Sequence, residues 1–98
     1  MIKKTDDRPV EAAIRGFIAA NLLYSEDGFA YSDDASLIRE RIIDSLGVVE
    51  LAAFLGQRFG VRVEQSDVRP DNFDSVAKLA AFVGRKLSAA RSEAAQPA

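Results

Sequence analysis

Apolar residues between positions 8 and 24 fall at Val10, Ile14, Phe17, Ile18 and Leu22, mostly three or four places apart. That is the repeat of one face of an α-helix, and it predicts a first helix over 8–24. Pro9 suits the first helical turn, and Asp6 and Asp7 place negative charge where the helix dipole is positive. Ser25-Glu26-Asp27-Gly28 is expected to end the helix, with Gly28 taking a left-handed conformation. A second helix is predicted from Ser45 to Phe59, ended by Gly60. Leu46, Val49, Ala53 and Gly56 lie on one of its stripes, and Val48, Leu51, Ala52, Leu55 and Phe59 form a second, broader one. Two apolar stripes are more than a single core-facing surface requires. A last helix is expected to start at Asp74 or Ser75 as N-cap and to turn Val76, Leu79, Ala80, Val83 and Leu87 inward.

The connections differ in kind. Residues 25–44 form a link much longer than the ~2–8 residues usual between bundled helices. Its Phe29, Leu37, Ile38, Ile42 and Ile43 suggest a segment lying on the core, with a helical turn near 35–40. In "VRVEQSDVRPDNF" one short helix is expected near Glu64 to Val68, and the Val61/Val63 alternation is too brief for a strand. The fold class is therefore all-α, with three long helices and one short one in a four-helix bundle. Residues 1–88 are read as the single domain and residues 89–98, "AARSEAAQPA", as a disordered tail.

Composition narrows the chemistry. The chain of 98 residues has no cysteine and no histidine, which removes disulfides, thiolate catalysis, the commonest metal ligand and the usual general base. The acid pairs Glu26-Asp27 and Asp33-Asp34 lack the alternating spacing of a calcium loop and read as solvated charge, so no metal site is expected. No apolar run approaches ~18 residues, and "MIKKTDDRPVEAA" lacks the apolar core of a signal peptide. No membrane span and a cytoplasmic setting are the expectation. The net charge is −2, but residues 26–74 hold eleven acids against five bases. That acidic middle should repel phosphate backbones, and no basic stripe opposes it, so no nucleic-acid partner is expected.

One tripeptide stands out. Asp44-Ser45-Leu46 falls where the second helix begins. A serine nucleophile needs a neighbouring base, histidine is missing, and G-x-S-x-G is absent, so a small hydrolase is disfavoured. Chemistry at Ser45 would have to be done by another protein. A helix N-terminus leaves amide N–H groups unpaired and accommodates an anion such as a phosphate. The competing interpretation is that Asp44 or Ser45 is simply the helix N-cap, worth ~1 kcal/mol.

"DSLGVVEL" at the start of a second helix, after a long loop and within an acidic middle, resembles the acyl carrier protein family. "RFGVRV" is similar to that family's exit from its second helix, and "VRPDNFDSVAKLAAFV" to the approach to its last helix; together these segments extend the resemblance over about residues 8–87. The resemblance implies a carrier, not itself an enzyme, with 4′-phosphopantetheine from coenzyme A attached at Ser45. Asp44 would be the preceding acid and Leu46 the apolar residue beside the arm. It also implies an acyl or aminoacyl group held as a thioester, and partner docking through Leu46, Val49, Glu50 and Ala53. The implied partners are a phosphopantetheinyl transferase and an AMP-forming acyl or aminoacyl ligase or acyltransferases, the carrier itself being a monomer. Gly47 replaces an acid often found in fatty-acid carriers, and Gln57-Arg58 stands where those carriers are usually acidic. Those departures count against a fatty-acid synthase role, and D-S-x-G-V-x-E-L together with P-[DE]-N-F-[DA]-S looks more like stand-alone carriers served by an AMP-forming ligase in specialised metabolism. The alternatives are a fatty-acid synthesis carrier and an unmodified helical adaptor that docks through its second helix.

Overall fold

A computed structural model describes residues 8–95 of the chain. It comprises α1 (Arg8–Asn21), α2 (Ser45–Phe59), a single 3-10 turn (Gln65–Asp67), α3 (Pro70–Phe73) and α4 (Val76–Ala95), with no strand among the described residues. This is the expected all-α arrangement of three long helices and one short one. No described helix is long and apolar enough to cross a membrane.

The core forms where the apolar stripes meet. Ile14 and Ile18 of α1, Leu51 and Leu55 of α2, and Val76, Leu79 and Val83 of α4 are fully enclosed. Burying a side chain of this size contributes ~1.5–3 kcal/mol, so these seven supply a substantial part of the drive to assemble three helices. Phe17 stacks on Phe54 with ring centroids 4.3 Å apart, joining α1 to α2. Phe73 tilts against Phe82 at 5.7 Å and seats α3 on α4.

Element ends follow local chemistry. Asp44, in extended conformation, caps α2 through a 2.8 Å bond from the Gly47 amide to its carboxylate. Gly60, at φ 70°, ends α2 in the left-handed conformation that an L side chain resists. Ser75 caps α4, its Oγ accepting from the Lys78 amide at 3.0 Å. Asp74, the other possible cap, is engaged elsewhere.

Four details depart from the sequence reading. α1 ends at Asn21 rather than near residue 24, because Tyr24 adopts φ 52° and turns the chain there; Gly28, at φ 87°, is left-handed but lies beyond the helix end. Ile38, expected on the core, is 49% exposed, since the turn at 37–41 points Leu37 inward and its neighbour outward. The segment after α2 carries two short helical pieces instead of one: Pro70, with its φ already fixed for a first helical turn, starts α3 separately from the 3-10 turn. Finally, α4 runs to Ala95, through most of the expected tail, while residues 1–7 and 96–98 lie outside the described part.

The long connection is pinned rather than draped. Arg15 grips the Asp33 carboxylate with two bonds, from Nε at 2.7 Å and from Nη2 at 2.6 Å. Asp74 accepts the Ser36 hydroxyl at 2.8 Å and the Ile38 amide at 3.0 Å, and its carbonyl accepts the Leu37 amide at 2.7 Å. Leu37, Ile42 and Ile43 then complete the core from this side. The effect is to deliver Asp44 and Ser45 to a fixed place.

Candidate functional site

Because Asp44 makes the cap, Ser45 is the first helical residue and is exposed. The Gly47 amide is taken by the Asp44 carboxylate, and the Val48 amide by the Asp44 carbonyl at 2.9 Å. Helical geometry leaves the amides of Ser45 and Leu46 facing out of the helix end. Asp44 thus has a capping task, and Ser45 does not.

Two recesses flank this helix start, and they differ in charge. On one side a cavity of about 350 Å³ is lined by Ser45 itself together with apolar residues from the connection (Ile38, Ile43), from α2 (Val48, Val49) and from the α3 region (Val68, Pro70, Phe73). Arg69 is the charged residue on that lining. On the other side a smaller recess of about 180 Å³ is bordered by Tyr24, Leu46, Gly47 and two carboxylates, Asp44 and Glu50. Ser45 therefore opens toward the apolar side, while the acidic side faces away from it.

The sequence-predicted site residues come together at this end of α2. Leu46 and Val49 are 66% and 63% exposed, and Glu50 and Ala53 are exposed beside them. Val48, Leu51 and Leu55 turn inward. The division of α2 into an inner and an outer stripe is thus a feature of the folded chain. Tyr24, at 81% exposure, adds an aromatic ring beside Leu46 and Glu50 that periodicity did not single out. Ile38, Arg69, Pro70 and Phe73 were likewise missed as neighbours of Ser45. They lie 7 to 28 positions away in sequence, and only the packing of the connection and α3 against α2 brings them there.

The groove wall formed by α3 is held from behind. Asn72, almost wholly buried, donates from Nδ2 to the Asp67 carbonyl at 2.9 Å and accepts from Arg85 Nη2 at 2.7 Å. Asp67 is bonded by Lys86 Nζ at 2.8 Å and by the Glu64 amide at 3.0 Å. The Lys86 bond, followed by that amide, holds the Asp67 carboxyl below its ordinary range against the small opposing effect of burial. At the other pin, the Arg15 hydrogen bonds depress the Asp33 carboxyl in the same way and raise Arg15 in turn.

The arrangement offers an exposed hydroxyl whose neighbouring carboxylate, Asp44, is engaged in capping, a solvent-open apolar groove and an exposed apolar ridge edged by acids. The chain matches no protein-family model and no curated protein.

Proposed function

We propose that the protein is a carrier in which Ser45 bears a 4′-phosphopantetheine arm and presents an acyl or aminoacyl thioester to partner enzymes. The observation that carries this reading is the exposed Ser45, relieved of capping by Asp44 and opening onto an apolar groove. The residues fit the group: the hydroxyl is accessible to a second protein, the free helix-end amides suit a phosphodiester, and the apolar lining suits an arm or acyl chain. A bound arm would supply the thiol; the chain itself supplies attachment and position. In the attachment step the Ser45 oxygen bonds to phosphorus, its proton passes to a base of the transferase, and the nucleotide half of coenzyme A leaves. Tethering then converts encounters between cargo and enzyme into intramolecular ones.

Leu46, Val49, Glu50 and Ala53 form the proposed docking ridge, apolar at its centre and acidic at its rim. The modest net charge, Gly47 and Arg58 make this ridge a poorer match for strongly basic fatty-acid synthase enzymes than for a dedicated AMP-forming ligase, since complementarity governs encounter and rejection of wrong partners. We assign the carrier to specialised acyl or aminoacyl metabolism in the cytoplasm. The exposed Leu46 and Val49 also suit an unmodified adaptor, which has no need of the Ser45 hydroxyl.

One experiment separates the readings. With coenzyme A and a promiscuous phosphopantetheinyl transferase, the wild-type chain gains one arm by intact mass. Ser45→Ala gains none while keeping its helical circular dichroism. A wild-type chain that stays unmodified beside an active transferase leaves only the adaptor.

A further inference from the structure

The two recesses beside Ser45 have opposite electrostatic character. Asp44 and Glu50 edge the one that Ser45 does not line, and Arg69 lies on the one that it does. Arg69 acts on Asp67 only through its charge, since the Asp67 carboxylate is bonded instead to Lys86 at 2.8 Å and to the Glu64 amide at 3.0 Å. Arg69 also borders a further recess with Asp67, Arg85 and Lys86, in which Lys86 is paired with Asp67 at 2.8 Å. The backbone at Arg69 is also fixed, because its carbonyl accepts the Asn72 and Phe73 amides at 2.9 and 3.0 Å and so starts α3. From this fixed backbone position the exposed Arg69 side chain offers, at the lining of an apolar groove, a planar guanidinium fork that matches phosphate oxygens.

We infer that Arg69 is a positioning residue for the phosphodiester on Ser45, drawing the arm along the apolar groove and away from the Asp44 and Glu50 side. This rests on the carrier reading above. The phosphate is joined directly to the Ser45 oxygen, so its position at the mouth of this groove is set by covalent geometry. The rest of the arm then follows the wall made by Val48, Val68 and Phe73 rather than the acidic edge. Leu46, Val49 and Glu50 are left open for partners while the arm is parked.

The test compares apo and phosphopantetheine-loaded protein by methyl and phosphorus NMR, with intact mass confirming the load. In the wild type, loading shifts the methyl resonances of Val48 and Val68. In Arg69→Ala those shifts fall about two- to five-fold, the fold-change of one exposed ion pair. Arg69→Lys keeps the charge without the fork and restores most of them. Arg41→Ala, which removes a nearby exposed cation outside the groove lining, leaves them unchanged. About 1 M salt, where screening acts within ~3 Å, makes the wild type resemble Arg69→Ala. Loaded Arg69→Ala with undiminished methyl shifts, a wild type whose shifts do not change on loading, or an equal loss in Arg41→Ala overturns the assignment while the carrier reading stands. Failure of the wild type to load at all removes both.

Discussion

Leu51 and Leu55 on one side of α2, and Leu46 and Val49 on the other, are similar residues in opposite surroundings. The first two are wholly enclosed and the second two are about two-thirds exposed, yet all four belong to one fifteen-residue helix. The inner pair is accounted for by the core: it meets α1, α4 and the pinned connection, and its burial drives assembly. Nothing in the fold of the described residues needs the outer pair. Apolar side chains grouped on a surface around an accessible hydroxyl and rimmed by acids suit the docking ridge proposed above. One helix thus carries both enclosed apolar residues that hold the domain together and exposed ones that the proposed function assigns to partners.

That contrast can be broken by mutation, and the inner side should give the largest effect. Leu55→Ala removes an enclosed side chain and is expected to cost ~2–5 kcal/mol in chemical denaturation, according to how far the site collapses. Such a loss is a large part of the ~5–15 kcal/mol that a domain of this size has in total. The pin of the connection comes next. Asp33→Ala breaks the two-bonded pair with Arg15, and because both side chains are about a third exposed it should cost no more than ~1 kcal/mol at neutral pH. The Asp33 carboxyl is depressed in the folded chain, so the pair's contribution is complete above the unfolded value of ~3.9 and is lost as pH falls through the lower folded value. In denaturation, wild type and Asp33→Ala should therefore differ at pH 7, begin to approach each other below about pH 4 and match only once the pH lies below the folded value. Smallest of all, Leu46→Ala and Val49→Ala should alter stability by within ~0.5 kcal/mol, as exposed substitutions do. The same two changes should slow loading by a partner ligase, read as a raised KM. Equal stability losses at Val49 and Leu55 would show that α2 has no outer, partner-facing stripe.

The sequence carried the long helices plainly, because Ile14, Ile18, Leu51, Leu55, Leu79 and Val83 repeat at helical spacing and such spacing is a local property. It could not separate the 3-10 turn from α3, since pieces of three and four residues are too short to show a period. Phe73 and Phe82 were not expected in the core for a related reason. Phe82 lies off the main stripe of α4, and it is buried only because α3 brings Phe73 against it. Asp44 and Ser45 were equally good caps on paper, and the choice between them depends on backbone geometry at Asp44. Of the site, the stretch from Asp44 to Ala53 was legible because it is contiguous. Arg69 was not, because its relation to Ser45 arises from packing across 24 positions.

The bonds that hold residues 25–44 in place also set an order of events. Asp74 receives Ser36, Leu37 and Ile38, and the Asp33 carbonyl receives the Ala77 amide at 2.9 Å, so this segment is anchored to residues about forty positions further along. Contacts so distant form slowly, because a long loop must close before they bring any gain. The connection is tied both to α1, through Arg15 and Asp33, and to the start of α4, and it forms one wall of the groove at Ser45. The groove should be completed late in folding and be the first part to open in a native chain, detectable as weak hydrogen-exchange protection of the Leu37 and Ile38 amides relative to Leu55. A transferase that modifies Ser45 would then meet a serine whose surroundings breathe while the helix behind it stays rigid.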